Sequence, residues 1–277
     1  MKTFRKIVTT TGTFLILGLL LVAQETNKEE LTIPLSNPGQ PGKLECGLVS
    51  GSIKITGYSG NEIHIVATQP VKKVKIEKEA SDPDKAGLKK ITTSSFNLSA
   101  EENNNVVEVH SNSWRSAINL EIEVPQQFSL DVGTVNNGTV TIDNVEGTIE
   151  ASNVNGSVTL TNVSGSVITN TVNGKVLVIM NRIDADTPMS FVSFNGDVDV
   201  TLPGSVNASA KMKSSSGDIY TDFEVDFEKK KTRVDESDEE GVYQVSIDEY
   251  VYGNLNGGGP EFVFKTHHGD IYLRKKK

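Results

Sequence analysis

Residues 138–178 read GTVTIDNVEGTIEASNVNGSVTLTNVSGSVITNTVNGKVLV. Within this stretch Gly138, Gly147, Gly156, Gly165 and Gly174 recur at a fixed interval of nine residues. The last four close variants of one phrase: Asn144-Val-Glu-Gly, Asn153-Val-Asn-Gly, Asn162-Val-Ser-Gly and Thr171-Val-Asn-Gly. A short fixed period marks a repeat architecture. Surfaces made by repetition bind or scaffold, whereas catalysis needs a unique constellation placed on top of them.

Counted from each glycine, position +2 holds Val140, Ile149, Val158, Val167 and Val176, and position +4 holds Ile142, Ala151, Leu160, Thr169 and Val178. Position −2 of the last four units holds Val145, Val154, Val163 and Val172. Side chains alternate along a strand, so −2, 0, +2 and +4 are expected on one inward side. The bare glycine Cα there permits close backbone approach. Nine is odd, so parity must reset once per unit. The pairs Asp143-Asn144, Ser152-Asn153, Thr161-Asn162 and Asn170-Thr171 are the expected corners, because Asn and Asp tolerate left-handed backbone.

An antiparallel meander of nine-residue strands and a solenoid with two strands per coil both fit this pattern. A second harmonic favours the solenoid. The residue before the glycine runs Asn137, Glu146, Asn155, Ser164, Asn173, so asparagine returns every 18 residues. Position +4 alternates too, with large Ile142, Leu160 and Val178 against small Ala151 and Thr169. Coils of 18 residues would stack like on like. Val140 is then expected on Val158 on Val176, beside an amide ladder of Asn137, Asn155, Asn173 and Asn195.

The pattern extends outward from this core. Ser50-Gly51-Ser-Ile53 is an early copy, and Asn195-Gly196-Asp-Val198, Ser216-Gly217-Asp-Ile219 and His268-Gly269-Asp-Ile271 are later ones. Ile183-Asp-Ala185 and Val206-Asn-Ala208-Ser-Ala210 fit the smaller face, and Phe223-Glu-Val225-Asp-Phe227 continues the repeat. The reading is all-β: a single parallel β-solenoid over residues 24–277, with coils of 18–22 residues and looped-out insertions, most regular over 135–227. Residues 72–105 are polar and irregular, with room for a hairpin. Residues 228–241 are nearly all charged, the composition of a solvated loop or hairpin tip.

The chain opens with Lys2, Arg5 and Lys6, then the apolar run Phe14–Ala23. This is the pattern of a secretory signal cleaved after residue 23, and the run is too short to span a bilayer. No second apolar run follows, so no transmembrane segment is expected after cleavage. Loss of three positive charges would move the net charge from −9 to −12. So acidic a chain does not suggest nucleic acid as partner. Cys46 is the single cysteine, which excludes an internal disulfide and reads as a small buried residue.

Gly253-Asn-Leu-Asn-Gly257-Gly-Gly-Pro260, followed by Thr266-His-His-Gly269-Asp-Ile271, resembles the closing "GGGP … nGdI" stretch of a known family. Leu120-Glu-Ile122-Glu-Val124-Pro125, ahead of the regular repeats, is similar to it as well. The family is that of the bacterial secreted proteins named putative adhesins, with β-strand repeats like the head of auto-transporter adhesins. The resemblance covers residues 31–274. It implies a β-solenoid, an envelope or cell-surface location, and an unidentified protein or glycan as partner. It brings no catalytic residues.

No Gly-x-Ser-x-Gly elbow, His-Glu-x-x-His helix or phosphate-binding Gly-Lys-Ser/Thr loop is present. Adjacent His267 and His268 would point to opposite faces of a strand, a poor geometry for one metal. Position +1 would stack Thr139, Ser157, Lys175, Asp197 and Asp218 on the outer surface, and Asp199 lies at +3. At a spacing of about 4.8 Å per coil, Asp197, Asp199 and Asp218 would share one patch. Such carboxylates are the candidate site for Ca²⁺, and a pair could serve glycoside cleavage. The expected function is a non-enzymatic adhesion or interaction module, secreted to the periplasm or cell surface and needing no cofactor. A polysaccharide-active enzyme and a calcium-stabilised structural protein are the alternatives.

Overall fold

The computed structural model describes residues 26–70, 96, 98–111, 117–225, 227–236 and 244–277. The expected signal, much of the irregular 72–105 stretch and residues 237–243 of the charged insertion lie outside the described residues.

All secondary structure among the described residues is strand. The N-terminal strands are β1 (Thr26–Pro34), β2 (Gly42–Ser50), β3 (Ile53–Tyr58), β4 (Glu62–Pro70), β5 (Leu98–Asn103), β6 (Val106–Ser111) and β7 (Asn119–Pro125). The centre holds β8 (Phe128–Asn136), β9 (Val140–Asp143), β10 (Glu146–Asn153), β11 (Val158–Asn173), β12 (Val176–Ile183), β13 (Met189–Asn195) and β14 (Val198–Leu202). The chain closes with β15 (Ala208–Ser214), β16 (Ile219–Thr221), β17 (Glu228–Glu236), β18 (Gln244–Leu255), β19 (Glu261–Thr266) and β20 (Ile271–Lys275).

Each coil contributes one strand to each of two stacks, and the apolar sides of both form one core. In the first stack the parallel order is β7, β3, β9, β11, β12, β14, β20, β16. This register threads Leu120, Ile53, Val140, Val158, Val176, Val198, Ile271 and Ile219 into one column. The expected stacking of Val140, Val158 and Val176 therefore holds. In the second stack the parallel order is β6, β2, β8, β10, β11, β13, β19, β15. Its matching column is Val109, Cys46, Val132, Ala151, Thr169, Phe191, Phe264 and Met212. Each fully buried aliphatic or aromatic side chain in these columns contributes roughly 1.5–3 kcal/mol. Cys46 is buried there, and desolvation pushes its thiol pKa up to about 12.

Four expectations are corrected. The sheet is mixed rather than purely parallel, because antiparallel strands close its ends. At one end β4 and then β1 extend the first stack, and β5 extends the second. At the other end β18 and β17 extend the second stack as an antiparallel pair, with β17 supplied by the charged insertion. Coil order also departs from chain order: β2–β3 lies between β6–β7 and β8–β9, and β19–β20 lies between β13–β14 and β15–β16. Finally, Ala185 is exposed, and Met189 and Phe191 fill the inner side in its place. Phe223, expected on a further strand, instead lies in the non-strand segment that follows β16, 8% exposed, with Val225 and Phe227 packed beside it against the core.

The repeat glycines have a steric cause. A Cβ on Gly156 would lie 2.0 Å from the carbonyl oxygen of Gly138, and one on Gly174 would lie 2.3 Å from that of Gly156. The same contact continues through Gly196 on Gly174 and Gly269 on Gly196. A second ladder binds this column. The side chains of Thr134, Asn153, Thr171, Ser193, Thr266 and Ser214 donate to the carbonyls of Gly51, Gly138, Gly156, Gly174, Gly196 and Gly269 at 2.8–3.0 Å. The carbonyls of these six glycines are thereby satisfied.

Candidate functional site

The two kinds of corner treat the repeated phrase differently. At the corners before Gly147 and Gly165, Asn144 and Asn162 adopt left-handed backbone, with φ of 59° and 54°. That single reset turns Val145 and Val163 inward, at 1% and 0% exposure. At the corners before Gly156 and Gly174, it is Asn153 and Thr171 that turn inward, and Val154 and Val172 face solvent. The −2 valines therefore do not share one inward side, as their spacing suggested. Alternate ones form an outer row.

That row is continuous. The register of the second stack aligns Val49, Val135, Val154, Val172 and Phe194 on successive coils. Each is between 37% and 49% exposed. These five make up most of the nine large hydrophobics exposed among the described residues, so the exposure is organised rather than scattered. At its end His267 stacks on Phe194, with ring centroids 4.8 Å apart.

An amide ladder borders the apolar row. Asn155 donates to Asn136, Asn173 to Asn155 and Asn195 to Asn173, each at 2.8 Å. His268 Nδ1 closes the series 3.1 Å from Asn195 Oδ1. The expected ladder is thus present with one substitution: Asn136 takes the first place, while Asn137 turns left-handed (φ 56°) and donates to Ser50 Oγ. His267 and His268 do not diverge onto opposite faces of a strand as expected: both lie past the end of β19, and their rings meet edge to face with centroids 4.4 Å apart, His267 against the apolar row and His268 on the ladder.

The acidic row is built differently from the expected patch. Asp270 stands between Asp197 and Asp218: Asp197 Oδ1 accepts the Asp270 N–H at 3.0 Å, and Asp270 Oδ1 accepts the Asp218 N–H at 2.9 Å. Earlier in the same row Ser157 Oγ accepts the Lys175 N–H and Ser52 Oγ accepts the Thr139 N–H. Position +1 therefore caps the first amide of the next coil. Asp199 is engaged by Arg274 at 2.8 Å and Lys175 at 3.1 Å. Burial works to raise its pKa, but the hydrogen bonds from Arg274 and Lys175 outweigh burial and hold the carboxyl below its ordinary value. Asp197, Asp199 and Asp218 do not converge on one point, and no group of three His, Cys, Asp or Glu residues among the described ones has the arrangement to hold a metal ion.

Sequence reasoning missed an aromatic feature beside this row. Arg274 lies over the ring of Tyr272, 4.9 Å from its centroid, and Tyr272 stacks on Tyr220 at 5.2 Å and 11°. The signal was present as a repeated tetrapeptide, Gly217-Asp-Ile-Tyr220 and Gly269-Asp-Ile-Tyr272. Tyr220 lines a cleft of about 680 Å³ between β16 and the β17–β18 pair.

Among solved structures, the chain is similar to a "putative cell adhesion protein" from Clostridium sporogenes, with a TM-score of 0.50 at 12% identity, covering 91% of this chain and 100% of that one. A "putative adhesin" from Bacteroides fragilis matches at a TM-score of 0.31 and 8% identity, over 92% of this chain and 98% of that one. At these identities the first likeness speaks for the fold alone. No curated protein matches the sequence. The family model described as Toastrack DUF4097 matches residues 6–254, nearly the whole chain, which belongs to that family.

Proposed function

We propose that this protein is an exported, non-enzymatic interaction module that makes adhesive contacts at the cell surface or in the envelope through the Val49–Phe194 row. The observation that carries this reading is the alignment of five half-exposed apolar side chains on consecutive coils. Contiguous exposed apolar surface marks interaction sites. The bordering amide ladder supplies polar groups in fixed register, the composition of a specific contact rather than a greasy one. The acidic row supports a non-enzymatic role, since Asp197 and Asp270 already accept backbone amides and Asp199 is neutralised by two cations. Export rests on the N-terminal signal pattern, and an adhesive role agrees with the name of the solved structure that shares the fold.

The test is a triple variant, Val154→Thr, Val172→Asp and Phe194→Thr, which places no two like charges on adjacent coils, expressed in place of the native chain. Cells should lose adhesion to surfaces that the native strain colonises, while the purified variant keeps its melting temperature. Unchanged adhesion would refute the reading. Protease shaving of intact cells, followed by detection of the chain, separates a surface from a periplasmic address.

A further inference from the structure

The two stacks end unevenly at the β15–β16 coil. Among the described residues, the second stack continues through β18 and β17, whereas the first stops at β16, which pairs only with β20. The overhang of two strands leaves the 680 Å³ cleft. Its volume falls within the range of small-ligand sites. Met212, Ile219, Phe227 and Val251 supply apolar lining, and Asp218, Lys213, Lys229 and Glu249 stand on the walls. Two acids and two bases leave the cleft without net charge.

Tyr220 is the prominent group. Among the described residues no strand lies beyond β16 to cover its ring, which is 48% exposed. The ring is nonetheless held firmly. Lys175 and Arg274 bind Asp199, Arg274 lies over Tyr272, and Tyr272 stacks on Tyr220. The Tyr220 hydroxyl donates to Asp218 at 3.3 Å, and the Tyr272 hydroxyl donates to Asp270 at 3.0 Å. A series of ionic, cation–π and stacking contacts thus fixes an aromatic face that buries nothing in the core. Stacked aromatic pairs contribute beyond their buried area, and a fixed face costs little ordering entropy when a ligand arrives.

We propose that this cleft binds an uncharged oligosaccharide, with one pyranose ring packed flat on Tyr220. A pyranose has an apolar C–H face and a rim of hydroxyls. The Tyr220 ring matches the face, and the side chains of Asp218, Glu249, Lys229 and Lys213 match the rim as acceptors and donors. The absence of net charge disfavours uronic acid and phosphate-bearing chains. This site is separate from the Val49–Phe194 row, and either can fail without the other.

Titration calorimetry of the full chain tests it, against uncharged hexasaccharides of glucose, xylose, mannose, galactose and N-acetylglucosamine in both anomeric linkages. At least one should bind. Tyr220→Ala should weaken that binding roughly tenfold or more, and Tyr220→Phe, which keeps the ring, should retain most of it. Arg274→Ala, which frees the Tyr272 ring, should weaken it by a smaller factor. The row variant Val172→Asp should leave binding unchanged. The melting temperature of Tyr220→Ala checks that folding is intact. Binding by none of the saccharides would overturn the proposal, as would binding indifferent to Tyr220→Ala. Capture of an extended peptide by the β16 edge, with no saccharide bound, would assign the cleft to strand addition instead.

Discussion

The corner around Asn162-Val-Ser-Gly165 and the corner around Thr171-Val-Asn-Gly174 carry nearly the same residues in opposite roles. In the first, a left-handed asparagine sits outside and the valine completes the core. In the second, the β-branched Thr171 turns inward to bind the Gly156 carbonyl, and Val172 is left in solvent. The difference lies in the backbone: Asn162 and Gly165 have φ of 54° and 108°, whereas neither Thr171 nor Gly174 has a positive φ. A positive φ costs an asparagine little and a threonine much. Asn153 takes the threonine's role at the equivalent corner one coil earlier, so residue type biases the choice and the stack decides it. One corner serves cohesion and the other presents a surface.

The comparison breaks most visibly at its glycines. Gly156→Ala should cost several kcal/mol, because the new methyl meets the backbone oxygen of Gly138 rather than a movable side chain. Gly47→Ala, at an exposed strand position with nothing within 4 Å of the added Cβ, should be neutral or stabilise by up to about 1 kcal/mol. Chemical denaturation of both variants measures the contrast. Equal effects would mean that the glycine column is not a steric requirement.

The valines give the next largest effect. Val163→Ala should destabilise by about 2 kcal/mol, whereas Val172→Ala should change stability by no more than about 0.5 kcal/mol. A similar loss in both would show that the outer row is covered within the folded chain. A smaller gain is expected from Thr169, whose hydroxyl is fully buried without a hydrogen-bond partner. Thr169→Val preserves shape and should stabilise by about 1 kcal/mol.

The smallest effect is one of pH, on the outward side of the first stack. The Asp199 pKa is lowered from its ordinary 3.8. Its ion pairs therefore contribute full stability above that value, and the contribution is lost as pH falls through the lower folded pKa. Asp199→Asn should flatten the stability curve below about pH 4, with little change in slope near neutrality. An acid limb identical to that of the native chain would show that the Arg274 and Lys175 contacts are immaterial.

Periodicity made the coil legible in the sequence: the spacing of Gly138, Gly156 and Gly174 located the column, and the 18-residue harmonic located the amide ladder to within one residue. What periodicity could not carry was the inward or outward sense of Val154 and Val172. That sense depends on which residue of Asn-Val-x-Gly takes the left-handed torsion, and the phrase reads alike in both cases. The place of Asp270 between Asp197 and Asp218 was hidden for another reason. It arises from coil order, which an ordered list of repeats represents as sequential. The uneven ends, and with them the cleft beside Tyr220, follow from long-range antiparallel pairings that have no local signature.

Coil order has a mechanical consequence. Strand β20 is bonded on both sides, to β14 and to β16. Tension along β20 would have to slide it lengthwise between two parallel neighbours, breaking both ladders together, instead of peeling a free edge one bond at a time. The inserted β2–β3 coil is gripped in the same way, whereas β1, ahead of it in the chain, pairs with β4 alone among the described strands. Under load the two sides of the fold would thus yield by different routes, β1 by peeling from β4 and β20 by shearing between β14 and β16.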